Sequence, residues 1–153
     1  MNFLLVLEYL QTAFYQEAID NGSLNGELSH FAQVVGGHER EHVSFLRSKL
    51  GAKAKGRPEF DFGDATSNPT KFAATAVKLE ELTIGAYIGQ GANLTRDAVL
   101  RVGRIASVEA RHVAWIRDIR RELPAPVAAD PGTSQEEVAG ELRATHFITG
   151  GAQ

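Results

Sequence analysis

Apolar positions recur at helical spacing along almost the whole chain. Leu4, Leu7, Leu10 and Phe14 form one stripe within residues 1–20, a stretch without Gly or Pro, and predict a first helix. Asn21-Gly22-Ser23 breaks the pattern as a helix stop followed by a new cap does. A second helix is expected from about Leu24 to Leu50, stopping at Gly51; Gly36-Gly37 inside it points to close helix packing or a local distortion. Residues 51–67 read as a loop punctuated by Gly51, Gly56, Pro58 and Gly63, with Pro58–Phe62 extended. Asn68-Pro69 starts a third helix that runs to about Gly89. After a turn at Gly89–Asn93, a fourth helix runs from about Thr95 to Leu123 and ends before Pro124. Residues 124–133 form a Pro/Ala/Gly linker. The capping box Ser134-x-x-Glu137 then opens a short fifth helix to about His146.

Four long helices with short links 1–2 and 3–4 and a long link 2–3 describe two antiparallel hairpins joined by a crossover. The 17-residue crossover reaches at most about 56–61 Å, enough to run back along a helix of about 30 Å. The expected fold class is therefore all-α: a four-helix bundle over residues 1–123, then a linker and short C-terminal helix over 124–153.

The two hairpins repeat each other. Leu7-Glu8-Tyr9-Leu10 with Tyr15, and Leu79-Glu80-Glu81-Leu82 with Tyr87, both read L-E-x-L-x4-Y, 72 positions apart. Glu39, His42, Val43 and Arg47, and Glu109, His112, Val113 and Arg117, both read E-x-x-H-V-x3-R, 70 positions apart. Residues i and i+3 lie about 60° apart on a helix, so each Glu-x-x-His pair can converge on one point. The Glu39/His42 face carries Val35 and Leu46, and the Glu109/His112 face carries Ile105 and Ile116, so these polar groups lie on core stripes, where unpaired charge is costly. Two divalent cations would balance the carboxylates of Glu8, Glu39, Glu80 and Glu109, with His42 and His112 as neutral donors. Mixed carboxylate and imidazole ligation suits iron or manganese. One Glu from each of two helices and Glu-x-x-His from each of the others is the donor set of di-iron and di-manganese helical bundles.

Other residues read differently. Glu27-Leu28-Ser29-His30 is also Glu-x-x-His, but it lies about 120° around the helix from the Glu39 pair and is expected to face solvent. Glu81 aligns with Tyr9, which leaves Glu80 as the ligand candidate. Glu41, His38 and His146 are expected at the surface, and Trp115 in the core. Tyr15 and Tyr87 lie one heptad beyond Glu8 and Glu80; they would either donate to ligand carboxylates or serve as core tyrosines satisfied elsewhere.

Composition narrows the partners. Lys+Arg is 16 against Asp+Glu 19, a net charge of −3, which offers no basic excess for nucleic acid. The chain has no cysteine, which excludes disulfides, zinc–thiolate sites, iron–sulfur clusters and thiol catalysis. The apolar run Phe3–Leu7 stops at Glu8, whereas a spanning helix needs about 20 residues. The run is also short for a secretory leader, and no Lys or Arg precedes it. The compartment stays open between the bacterial cytoplasm and, with a leader removed, export.

The chain resembles the ferritin-like superfamily, most of all the bacterial ferritin-like domain family that includes desiccation-related proteins. LEYLQTAFY from Leu7, GHEREHVSFLR from Gly37, RPEFDF from Arg57, LEELTIGAY from Leu79 and VEARHVAWIR from Val108 carry that likeness. It implies a four-helix bundle with a dinuclear iron or manganese site on Glu8, Glu39, His42, Glu80, Glu109 and His112. The expected function is redox chemistry with dioxygen or peroxide, of ferroxidase, peroxidase or catalase-like type. Iron storage, which needs a multi-subunit shell, and a non-enzymatic stress-related bundle with structural metals are the alternatives. Association into a homo-oligomer is left open.

Overall fold

The computed structural model describes residues 1–151. Among them are five helices, α1 (Asn2–Asn21), α2 (Gly26–Leu50), α3 (Pro69–Gln90), α4 (Arg96–Ile119) and α5 (Gln135–Thr145), and two short strands, β1 (Glu59–Phe60) and β2 (Ile148–Gly150). The fold class is all-α. Two compact units divide the chain: Met1–Phe72 with the residues from Leu142 on, and Ala73–Glu141.

In the first unit, α1 and α2 form a hairpin. The α1 helix stops where Gly22 takes the left-handed conformation, φ 64°, and its amide donates to the Ile19 carbonyl. The Gly36 expectation of close packing has a direct cause here. A Cβ at Gly36 would stand 3.0 Å from the Tyr15 Cβ on α1, tighter than ordinary contact, so glycine here favours close approach of the two helices. Leu4, Leu5, Leu7, Leu10, Phe14 and Ala18 of α1, and Phe31, Val35 and Leu46 of α2, are buried. Phe14 stacks on Phe72 at 5.1 Å and meets Tyr15 and Phe62 edge-on.

The crossover runs the length of α1. Near one end, the Asn2 side chain donates to the Lys53 carbonyl and accepts from the Lys55 amide. Near the other, the Thr66 hydroxyl donates to Glu17 and accepts from Asn21. The extended stretch expected at Pro58–Phe62 is β1, and its partner is a strand the helical pattern did not foretell. Glu59 pairs with Gly150 and Phe60 with Ile148, antiparallel, while Phe62 packs edge-on against Phe147.

In the second unit, Thr95 caps α4 by accepting from the Ala98 amide. The α4 helix ends at Ile119, four residues before the expected Leu123. Arg121 adopts φ 60°, its amide donates to the Asp118 carbonyl, and the Glu122 amide reaches back to the Arg117 carbonyl. That is a left-handed helix stop made without glycine, which the chain pattern does not advertise. Trp115, expected in the core, is only half-buried. The capping box at α5 forms as expected. The Ser134 hydroxyl and amide both donate to the Glu137 carboxylate, which holds that carboxyl below its usual range. The fifth helix ends at Thr145, and His146 follows at φ 58°.

The linker ahead of α5 lies directly on α3. The Thr133 amide donates to the Gly85 carbonyl at 2.9 Å. A Cβ at Gly89 would stand 2.0 Å from the Thr133 carbonyl oxygen, and one at Gly85 2.5 Å from its hydroxyl. Gly103 is the contrast: it sits inside α4 with ordinary φ and nothing within 4 Å of an added Cβ. Gly103→Ala should therefore raise stability by about 0.5–1 kcal/mol, read from thermal or urea unfolding. An unchanged or lowered midpoint would show that α4 needs this glycine.

Candidate metal centre

Each hairpin buries one triad of two carboxylates and one imidazole. On α1, Leu7 and Leu10 face the core, and Glu8 between them is carried inward with 0% of its surface exposed. On α2, the core stripe that holds Val35 and Leu46 also carries Glu39 (0% exposed) and His42 (8%). His42 Nδ1 stands 3.3 Å from Glu39 Oε2 and 3.4 Å from Glu8 Oε2. The second hairpin reproduces this arrangement. Glu80 on α3 and Glu109 on α4 are each 0% exposed, and His112 is 3% exposed. His112 Nδ1 stands 3.3 Å from Glu80 Oε2 and 3.4 Å from Glu109 Oε2.

These distances test whether the donors suit an ion. Charge-assisted hydrogen bonds close to about 2.7–2.9 Å, and one ring nitrogen cannot direct a proton at two carboxylates equally. Oxygen and nitrogen donors sharing an ion of zinc's size, each about 2.0–2.2 Å from it, lie about 3.0–3.5 Å apart. In both triads the Nδ1-to-carboxylate separations fall in that range. One donor atom from each of Glu8, Glu39 and His42 lies within 4.8 Å of the others, and the same holds for Glu80, Glu109 and His112. Two carboxylates and a neutral imidazole carry −2, so one divalent cation neutralises each triad. The buried groups are thus compatible with metal ions.

The remaining expected residues fall into place as follows. Glu27, His30, His38, Glu41 and His146 are exposed. Tyr15 and Tyr87 are buried, at 0% and 3% exposure, and the Tyr15 ring packs on Phe31 and Phe72. Glu81 turns away from the triad and pairs with Arg117 of α4. Arg47 of α2 donates to the Tyr9 hydroxyl of α1, and Tyr9 in turn donates to the Lys55 carbonyl at 3.3 Å. The repeat contained both arginines at one position and Tyr9 and Glu81 at another. The ligand pattern itself assigns the arginines no role.

Among the described residues no helix is long and apolar enough to cross a membrane. No curated protein matches the chain. The model of the ferritin-like domain matches residues 1–122, a span that holds both hairpins and both triads. The chain belongs to the ferritin-like domain family.

Proposed function

We propose that the protein is a dinuclear iron or manganese carboxylate protein that acts on dioxygen or peroxide. The observation that supports this reading is the duplicated, buried Glu/Glu/His triad. Glu8, Glu39 and His42 would hold one ion, and Glu80, Glu109 and His112 the other. Bound iron or manganese would supply a change of oxidation state for ferroxidase, peroxidase or catalase-like turnover.

The chain's own residues do the rest. The carboxylates are acceptor-only when ionised, so they present lone pairs and no proton to a cation. Each imidazole binds through a nitrogen that must be unprotonated, so protons compete with the ion for the same lone pair. The four carboxylates, each 0% exposed, are shielded from bulk water, which strengthens their interaction with a cation. Tyr15 and Tyr87, one heptad beyond Glu8 and Glu80, would donate to ligand carboxylates and fix their orientation.

Elemental analysis of protein expressed with ample iron and manganese tests the reading. About two ions per chain are expected, with loss in Glu39→Ala and His112→Ala samples. The loaded protein should consume peroxide or oxidise ferrous iron in air. Metal content near zero would overturn the proposal. A loaded sample inert to both substrates would leave the ions a stabilising role only. Elution as a large multi-subunit shell would point instead to iron storage.

A further inference from the structure

We propose that Arg47 and Arg117 are positioning residues, each setting the rotation of a glutamate-bearing helix so that its carboxylate reaches the triad. The inference rests on the metal-binding reading above.

Both arginines occupy the same place in the repeat, five residues after the triad histidine. Each reaches the neighbouring helix of its own hairpin and holds the residue that follows the triad glutamate. Arg47 holds Tyr9, next to Glu8, and Arg117 holds Glu81, next to Glu80. Two unlike side chains thus serve as the handle at equivalent positions, a phenol in one half and a carboxylate in the other. What the halves keep in common is the tie, not the chemistry of the acceptor.

Helix geometry explains why a tie there matters. Consecutive residues point about 100° apart, so holding the second sideways directs the first inward. Side-chain tips lie about 5–6 Å from the helix axis, so a rotation of about 10° displaces a carboxylate by about 1 Å. Binding constellations tolerate about 0.5 Å. Leucines on the same face resist translation but leave small rotations cheap. A guanidinium anchored on the partner helix opposes rotation directly, with planar, forked donors.

The two ties differ in burial. Tyr9 is buried and passes the contact on to the Lys55 carbonyl, whereas the Glu81 side chain is 42% exposed. A half-exposed ion pair adds little to global stability. Loss of the Arg117 tie should therefore lower metal affinity with hardly any change in melting.

The test is a stepwise Mn2+ or Co2+ titration of the metal-free full chain, with metal content by equilibrium dialysis and the Co2+ absorption spectrum as a second readout. In Arg117→Gln, one of two binding steps should weaken about tenfold, the scale for groups that orient metal ligands. Its metal-free melting temperature should stay at the parent value. Arg47→Gln should weaken the other step. Arg117→Glu should be worse than Arg117→Gln, and the swap Glu81→Arg with Arg117→Glu should restore the lost step. If Arg117→Gln does not fold, Glu81→Gln carries the same expectation. Unchanged binding in both arginine variants, or a swap no better than Arg117→Glu alone, overturns the positioning role while leaving the metal reading intact. A parent protein that binds no ions overturns the metal reading itself, and this inference with it.

Discussion

Glu109→Gln should melt at a higher temperature than the parent when both are stripped of metal, and at a lower one when both are saturated with it. The opposite signs come from one fact: Glu109 is buried in the same triad as a second carboxylate, Glu80, with His112 Nδ1 3.3–3.4 Å from both. In the absence of a cation, two carboxylates buried beside one imidazole carry a desolvation and like-charge cost that neutralising one of them lowers. Replacement by a neutral side chain of nearly equal volume removes that penalty without leaving a cavity. The metal-free gain should be about 1 kcal/mol, or roughly 2–4 °C for a chain of this size. An ion bound only to the native state reverses the order. At a free concentration one hundred times its Kd, each ion adds about 2.7 kcal/mol to the parent, and the variant forgoes most of that for its triad. Glu39→Gln should behave alike in the first hairpin. Thermal melts with chelator and with Mn2+ check both halves of the expectation. A variant that melts lower under both conditions would show Glu109 to be a structural partner, not a cation ligand.

Gly89→Ala should lower stability by about 1–3 kcal/mol, even though alanine is the better helix former. An added Cβ would stand 2.0 Å from the Thr133 carbonyl oxygen, a distance no side-chain adjustment relieves because the obstacle is backbone. The linker must lift, and the bond from the Thr133 amide to the Gly85 carbonyl is lost with it. Limited proteolysis should then cut within residues 124–133 faster than in the parent, since an undocked segment is open to local unfolding. Gly103→Ala, with open space around its Cβ, is the control that separates crowding from helix propensity. A Gly89→Ala protein as stable as the Gly103→Ala one, with unchanged cleavage, would show that the linker does not rest on α3.

Much of this was legible in the residues because the governing signals are local and repeated. The 3.6-residue period, the breaks at Gly22 and Gly51 and the caps at Asn68, Thr95 and Ser134 each act within one or two turns. The two motifs, found twice at nearly equal offsets, separated Glu39/His42 from the stray Glu27/His30 pair. They also separated Glu80 from Glu81. What the chain pattern concealed depends on partners distant in sequence or on an unusual residue in a familiar role. Arg121 ends α4 in a conformation that glycine usually supplies. The value of Gly85 and Gly89 appears only once Thr133 is laid across them. Strand β2 has no helical or alternating signature of its own and exists because Phe60 and Glu59 stand opposite it.

The β1–β2 clasp has a consequence for how the protein is made. Ile148–Gly150 emerges from the ribosome about ninety residues after Glu59–Phe60, a lag of roughly 4–18 s at ordinary translation speeds. During that interval the α1–α2 hairpin, with mostly near-neighbour contacts, can close, while the crossover's edge waits without its mate. The nascent polypeptide would thus have a temporarily open strand backbone at residues 59–60, where a chaperone or a second emerging copy could bind until the late segment arrives.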